Sequence, residues 1–160
     1  MTAAETSTVT RRGNQIRRRG GAREHPPAPL GNWIMGSAIV GKRLVLVVED
    51  QAFIRMNAAD IVTDAGFEAI EACGADEALP LLGSRDDIWT IFTDINMPGS
   101  MDGLKLCHVV RERWPWIKFI VTSGVATLAA HDLPSGGCFI KKPYTPSQIV
   151  SVLNDFALIG

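Results

Sequence analysis

The stretch TIFTDINMPGSMDG, from Thr90 to Gly103, ends a hydrophobic run in an aspartate and continues directly into a turn-forming segment. A carboxylate at the end of a buried strand costs free energy unless a partner uses its charge. The residues from Asn96 to Gly99 have the composition of a tight turn. The pattern therefore predicts a buried strand over residues 88–93 with a functional Asp94 at its carboxyl end.

Outward from this stretch, strand-like and helix-like patterns alternate along the chain. Apolar, β-branched runs predict strands, and apolar residues spaced three or four apart predict helices. The predicted strands cover residues 43–48, 67–72, 88–93, 117–122 and 138–141. The predicted helices cover residues 51–65, 75–82, 104–114, a weak glycine- and proline-rich helix over 124–136, and a last helix that begins after Thr145.

Residues that begin or end helices support these assignments. Gly66 is expected to end the first helix, and Pro80 is expected to limit or kink the second. Thr145, Pro146 and Gln148 form an N-cap, a first-turn proline and a capping box for the last helix. Five strands that alternate with five helices predict an α/β fold: a doubly wound parallel sheet with helices on both faces.

Length and charge divide the chain into two segments. The 160 residues suit one domain, and no apolar run reaches the roughly 18 residues of a membrane span. Residues 1–40 hold six arginines against two glutamates, with glycines and prolines between them, which predicts a disordered basic tail before a domain over residues 41–160. Translation from Met35 is one alternative for the tail, and an arginine–phosphate contact with nucleic acid is another.

The domain itself is mildly acidic, since residues 41–160 hold ten lysines and arginines against fifteen aspartates and glutamates, a balance of −5. That balance makes nucleic acid an unfavourable main ligand.

The chain has three cysteines, Cys73, Cys107 and Cys138, an odd number, and no two of them form a CxxC pair. They are interpreted as buried reduced thiols of a reducing compartment, which places the protein in the cytoplasm.

Polar residues follow four of the predicted strands, where ligands bind in parallel sheets. Glu49 and Asp50 end the first strand, Asp94 the third and Thr122 the fourth, and Lys142 follows the fifth. If these strands are neighbours, three carboxylates meet and need a cation, and oxygen ligands suit Mg²⁺. The hydroxyl and the ammonium suit phosphoryl oxygens, so Asp94 is a candidate phosphoryl-accepting nucleophile.

The segments VLVVED, TDINMPG, MDG, VTSG and KKPY occur together, in the order and at about the spacings of one family. Over roughly residues 42–157 the chain resembles the receiver domain of two-component response regulators. The resemblance implies the flavodoxin-like strand order 2-1-3-4-5 and a phosphorelay switch that a sensor histidine kinase or histidine phosphotransfer protein phosphorylates. It implies self-phosphorylation and autodephosphorylation rather than turnover of a substrate.

The resemblance also implies roles for single residues. Asp94 matches the phosphorylated aspartate, Glu49 and Asp50 match the acidic pair that holds Mg²⁺, and Asn96 matches the residue that gives its backbone carbonyl to the metal. Thr122 matches the hydroxyl residue and Lys142 the lysine that contact the phosphoryl group. Phe139 matches the switch aromatic, and the Lys142–Pro143 bond is expected to be cis. The kinase-docking patch would comprise Ile54, Pro143 and Tyr144, with Ile54 equally suited to the core rim.

No output domain follows the last predicted helix, so the expectation is a stand-alone regulator that acts through an unknown downstream protein, with phosphorylation-dependent dimerisation left open. Two alternatives remain. A phosphorylation-independent adaptor with a receiver fold would need a damaged pocket, whereas every pocket position is filled here. An aspartate-nucleophile phosphatase of the haloacid dehalogenase kind would need an aspartate where Asn96 stands. The segment from Asp94 to Gly103 is one residue longer than in the commonest relatives, which leaves its geometry open.

Overall fold

The computed structural model describes residues 43–125 and 132–159. It contains five strands: β1 (Leu44–Val48), β2 (Glu68–Ala72), β3 (Ile88–Asp94), β4 (Lys118–Ser123) and β5 (Gly137–Lys141). Its four helices are α1 (Ala52–Asp64), α2 (Ala75–Ser84), α3 (Gly103–Arg113) and α4 (Pro146–Ile159). Every predicted strand is confirmed within about two residues, and so are four of the five predicted helices.

The five strands form one parallel sheet in the order β2-β1-β3-β4-β5, which confirms the predicted order. The register aligns the carboxyl ends of the strands. Val48 of β1 lies beside Thr93 of β3, and Asp94 lies beside Thr122 of β4. The residues that follow the central strands therefore meet along one edge of the sheet.

Helices cover both faces of the sheet, as predicted. The buried residues of α2 and α3 form one core with one face of β1, β3 and β4, and the buried residues of α1 and α4 form another core with the opposite face. β1 is buried along its whole length, whereas β2 at the edge has two exposed residues, Glu68 and Glu71, and only Ala72 is fully buried. None of the helices within residues 43–125 and 132–159 is long and apolar enough to cross a membrane.

The predicted helix ends are present in the structure. Gly66 follows α1 with φ +89°, and its N–H donates to the Thr63 carbonyl at 2.9 Å. At the start of α4, the Gln148 side-chain oxygen accepts from the Thr145 N–H at 2.8 Å, as a capping box requires.

Pro80 does not end α2, although the sequence predicted that it would limit or kink this helix. α2 continues through Pro80 to Ser84, because Pro80 lies on the exposed side while Ala75, Ala78 and Leu82 bury the opposite side. A proline there removes one helical hydrogen bond without disturbing that packing. Of the helix predicted over residues 124–136, residues 126–131 lie outside the described residues, and the flanking residues 124–125 and 132–136 are not helical. The predicted tail over residues 1–40 also lies outside the described residues.

The prediction of three buried thiols is wrong for two of them. Cys107 of α3 is fully buried, but Cys138 is half-buried and Cys73 is exposed. Cys73 is exposed because it lies in the turn after the edge strand β2, where its backbone N–H donates to Glu77 Oε2 at 2.7 Å. Burial raises the pKa of Cys107 to about 12.

Iodoacetamide at pH 8 is expected to modify Cys73 in the native protein and to leave Cys107 unmodified, because the Cys107 thiol is both inaccessible and protonated. Peptide mass mapping before and after unfolding in guanidinium chloride checks this expectation. Equal labelling rates for the two cysteines under native conditions would contradict the packing of α3.

Candidate functional site

Three carboxylates meet at the carboxyl edge of the sheet. Glu49 and Asp50 follow β1, Asp94 ends β3, and one ligand oxygen from each lies within 4.8 Å of the others. Glu49 is 1% exposed and Asp94 is 4% exposed. Buried carboxylates at this separation repel one another, so the pocket needs positive charge.

Lys142 supplies one positive charge from the opposite side of the pocket. Its Nζ lies 2.7 Å from Glu49 Oε2 and 3.0 Å from Asp94 Oδ1. Its backbone N–H donates to the Ser123 carbonyl at 2.9 Å, which sets the lysine against the end of β4. The peptide bond from Lys142 to Pro143 is cis, as the sequence predicted.

Burial and charge act against each other in this ion pair. Burial raises the pKa of Glu49, and the hydrogen bond and charge of Lys142 offset only part of that effect. Burial alone would lower the pKa of Lys142, but its hydrogen bond to Glu49 and its close contact with the charged Asp94 outweigh burial, and the pKa is raised. The lysine therefore stays charged, and it is shared between two carboxylates.

The oxygens of the three acids differ in what they already bind. Glu49 Oε1 accepts from the Gln51 N–H at 3.3 Å, and Asp94 Oδ2 accepts from the Asn96 N–H at 3.1 Å. Asp50 Oδ1 is buried and makes no hydrogen bond within the described residues. An unpartnered carboxylate oxygen in an all-oxygen set with excess negative charge fits a hard divalent cation such as Mg²⁺, with Asp50 as the least encumbered ligand.

Asn96 begins the loop that follows β3. Its side-chain amide donates to Ser123 Oγ at 3.0 Å, which joins this loop to the end of β4. The side chain is exposed at the mouth of the pocket. The metal contact expected of its backbone carbonyl stays a prediction.

The two residues predicted to act as a switch lie on neighbouring strands. Thr122 is fully buried, and its hydroxyl donates to the Thr93 carbonyl at 3.3 Å. Phe139 of β5 is half-buried and packs against the core under α2 and α3. Their coupled movement stays a prediction.

The residues predicted as a docking patch come together beside the ion pair. Ile54, Pro143 and Tyr144 line an open, largely apolar depression of about 540 Å³ that also reaches Lys142. Phe53, which the sequence analysis missed, lines the same depression and is 87% exposed. The sequence held one signal for this role: Phe53 is a large apolar residue in the first turn of α1 that does not belong to the buried face of that helix.

Arg55 was also missed. Its guanidinium donates to the Glu49 carbonyl at 2.7 Å and to Glu71 Oε2 at 3.1 Å, so it ties α1 to the end of β1 and to β2. Glu71 is 16 residues away along the chain, and a pair at that distance leaves no pattern in one sequence.

Gly103, the glycine of the MDG segment, packs directly on the main chain of Asp94. A Cβ on Gly103 would lie 1.9 Å from the Asp94 carbonyl oxygen and 2.8 Å from Thr93 Oγ1. Its N–H donates to the Ile95 carbonyl at 3.0 Å. The position therefore excludes a side chain, because backbone atoms cannot move aside as a flexible side chain can.

Comparison with known proteins places these features in one family. The family model for the response regulator receiver domain matches residues 45–154. The chemotaxis protein CheY of Thermotoga maritima is 39% identical over 120 residues, which are 72% of this chain and 97% of CheY. The sensor kinase CckA of Brucella abortus is 35% identical over 121 residues, 72% of this chain, but the match spans only 12% of that protein.

Solved structures agree with the sequence comparison. A response regulator receiver protein from Sinorhizobium medicae has a TM-score of 0.68 at 26% identity, covering 72% of this chain and 94% of its own. One from Pseudomonas putida has a TM-score of 0.64 at 30% identity, covering 73% of this chain and 99% of its own.

Replacement of Gly103 with alanine is expected to destabilise the protein by at least about 2 kcal/mol, because the new methyl group forces the Asp94 main chain to shift. The matched control is Gly83→Ala in α2, where a Cβ meets nothing within 4 Å and alanine favours the helix by roughly 0.5–1 kcal/mol. Guanidinium chloride denaturation measures both. Equal stability of the two variants would contradict the close approach at Gly103.

Proposed function

The chain belongs to the response regulator receiver domain family, and from this membership we propose that it is a phosphorelay switch with Asp94 as its phosphoacceptor. The main support for this proposal is the position of Asp94 at the end of β3. The Lys142 ammonium lies 3.0 Å from it, and the carboxylates of Glu49 and Asp50 lie beside it. A reactive carboxylate held between a lysine and an acidic cluster suits phosphoryl transfer better than a structural role.

Mg²⁺ is the proposed cofactor of this site. Asp50 and Asp94 would hold it directly, with Glu49 beside them and the Asn96 backbone carbonyl as a further ligand; the unpartnered Asp50 Oδ1 supports this assignment. When bound, the ion supplies positive charge to the oxygens of the phosphoryl group.

The transfer itself uses the side chains of the pocket. A carboxylate oxygen of Asp94 attacks the phosphorus of a phosphohistidine in line with the leaving imidazole. The new O–P bond forms as the P–N bond breaks, and the imidazole leaves with the electron pair of that bond. Lys142 would keep its contact with Asp94 and stabilise charge on the phosphoryl oxygens. Water can attack the phosphorus of the resulting acyl phosphate, which releases inorganic phosphate and returns Asp94 to a carboxylate.

The apolar depression beside Lys142 is the proposed docking surface for a sensor histidine kinase or a histidine phosphotransfer protein. Phe53, Ile54, Pro143 and Tyr144 line it, and it opens directly onto the lysine that contacts Asp94. An exposed aromatic side chain such as Phe53 suits the centre of an interface. A helix that docks there would bring its phosphohistidine to the pocket mouth.

The response to phosphorylation would pass through Thr122 and Phe139. In the unphosphorylated protein the Thr122 hydroxyl donates to a backbone carbonyl, a bond it can exchange for one to a phosphoryl oxygen. Phe139 is half-buried on the next strand, so a repacking of its ring would alter the surface of β5. Phosphorylation would thereby shift a two-state equilibrium that a downstream protein reads.

Acetyl phosphate with Mg²⁺ is expected to add one phosphoryl group to the wild-type protein and none to Asp94→Asn, because the amide cannot form an acyl phosphate. Intact mass spectrometry reads the added group, with EDTA as the second control. Wild type that binds Mg²⁺ yet gains no mass would favour a phosphorylation-independent adaptor instead.

Mg²⁺ is expected to raise the free energy of unfolding of the wild-type protein by about 1.4–2.7 kcal/mol when its concentration exceeds Kd by roughly ten- to a hundredfold. Asp50→Asn should lose most of this gain, because it removes the charge of the least encumbered ligand. Asp60→Asn on the exposed side of α1 is the matched control and should keep it. Thermal melts with and without Mg²⁺ measure the effect, and equal gains in both variants would refute the ligand assignment.

A further inference from the structure

The loop over residues 96–102 joins β3 to α3 and begins at the proposed metal ligand. Its inner part is held by the core: Met97 is buried, and the N–H groups of Met97 and Gly103 both donate to the Ile95 carbonyl, at 3.1 and 3.0 Å. These contacts fix the base of the loop on the end of β3.

The outer part of the loop is held by a different element. Asp76 lies in the first turn of α2, and its Oδ1 accepts from Ser100 Oγ at 2.5 Å while its Oδ2 accepts from the Ser100 N–H at 3.2 Å. The chain reaches this carboxylate through Gly99, which has φ +127° and where a Cβ would lie 3.1 Å from Asp76 Oδ2. The Pro98 carbonyl lies against Gly74, one residue before α2. The loop is therefore fitted onto the start of α2.

We propose that Asp76 is a positioning residue of the phosphoacceptor site: by holding Ser100, it orders loop 96–102 so that the Asn96 carbonyl is presented to Mg²⁺. The inference rests on the proposed function. Ordering a loop costs conformational entropy, and a loop that is already ordered leaves less of that cost to metal binding. The side chain of Asp76 acts through the loop: within residues 43–125 and 132–159, its hydrogen bonds go to Ser100 and not to Glu49, Asp50 or Asp94.

The chemistry of the pair supports a persistent contact. The Ser100 hydroxyl and, after it, the Ser100 N–H lower the pKa of Asp76, so the carboxylate is ionised at neutral pH and accepts two charge-assisted hydrogen bonds. Ser100 thus meets a bidentate acceptor rather than a single oxygen.

Glu77 offers a matched control. It is the next residue of the same helical turn, it carries the same charge, and its Oε2 accepts from the Cys73 N–H at 2.7 Å. That bond serves the start of α2 and does not reach the loop. The variant Glu77→Ala therefore shows how much of any effect comes from loss of a negative charge or of a stabilising contact at the start of α2.

The decisive measurement is Mg²⁺ affinity of the full chain by isothermal titration calorimetry. Asp76→Ala is expected to weaken binding about tenfold, and Asp76→Asn, which keeps an acceptor oxygen, is expected to recover part of the loss. Ser100→Ala keeps the bond from its backbone N–H to Asp76. Its Mg²⁺ affinity should therefore lie between that of Asp76→Ala and that of the wild type. Glu77→Ala should stay within about twofold of wild type.

Phosphorylation by acetyl phosphate gives the second readout. Asp76→Ala should need more Mg²⁺ for half-maximal rate and reach nearly the wild-type rate at saturation, because it changes presentation of a ligand and not the nucleophile. Unchanged Mg²⁺ affinity in Asp76→Ala, or an equal loss in Glu77→Ala, overturns the inference. Wild type that binds Mg²⁺ without phosphorylation overturns only the proposed function, and wild type that binds no Mg²⁺ overturns both.

Discussion

The arrangement depends on one electrostatic constraint: three carboxylates lie together at the end of the sheet with Lys142 among them. Lys142 contacts Glu49 at 2.7 Å and Asp94 at 3.0 Å, and the four side chains together still carry two formal negative charges. Burial raises the cost of that excess. The excess negative charge favours the binding of a cation and the attack of a carboxylate on an electrophilic phosphorus. It therefore accounts for both the proposed cofactor and the proposed chemistry.

The sheet makes this concentration of charge possible. Parallel order places every carboxyl end on one edge, and the order β2-β1-β3-β4-β5 sets β1 beside β3, where the chain changes direction across the sheet. Two apolar layers then hold the strands, so the acids lie at the end of a rigid strand or directly after one. Rigid placement matters because a carboxylate displaced by even 1 Å loses much of its value in catalysis.

Contacts around the pocket extend this positioning to the elements that surround it. Arg55 ties α1 to the carbonyl of Glu49, the Asn96 amide reaches the end of β4, and Asp76 holds the loop after Asp94. Each joins residues that are distant in sequence or belong to different elements. These contacts connect the residues along this edge of the sheet. A movement of Asp94 would therefore affect residues at the ends of β1 and β4 as well.

The sequence by itself determined the alternation of strands and helices, the helix ends at Gly66 and Thr145, and the identity of the strand-end acids, because periodicity and end signals are local. It also identified the residues that the pocket brings together, since a parallel sheet leaves little choice about where strand ends meet. Only the tertiary structure decided which oxygen of each acid is already bound, that Cys73 is exposed, and that α2 continues past Pro80. Only it paired Asp76 with Ser100, 24 residues apart, because such contacts depend on how elements pack and leave no periodic trace along the chain.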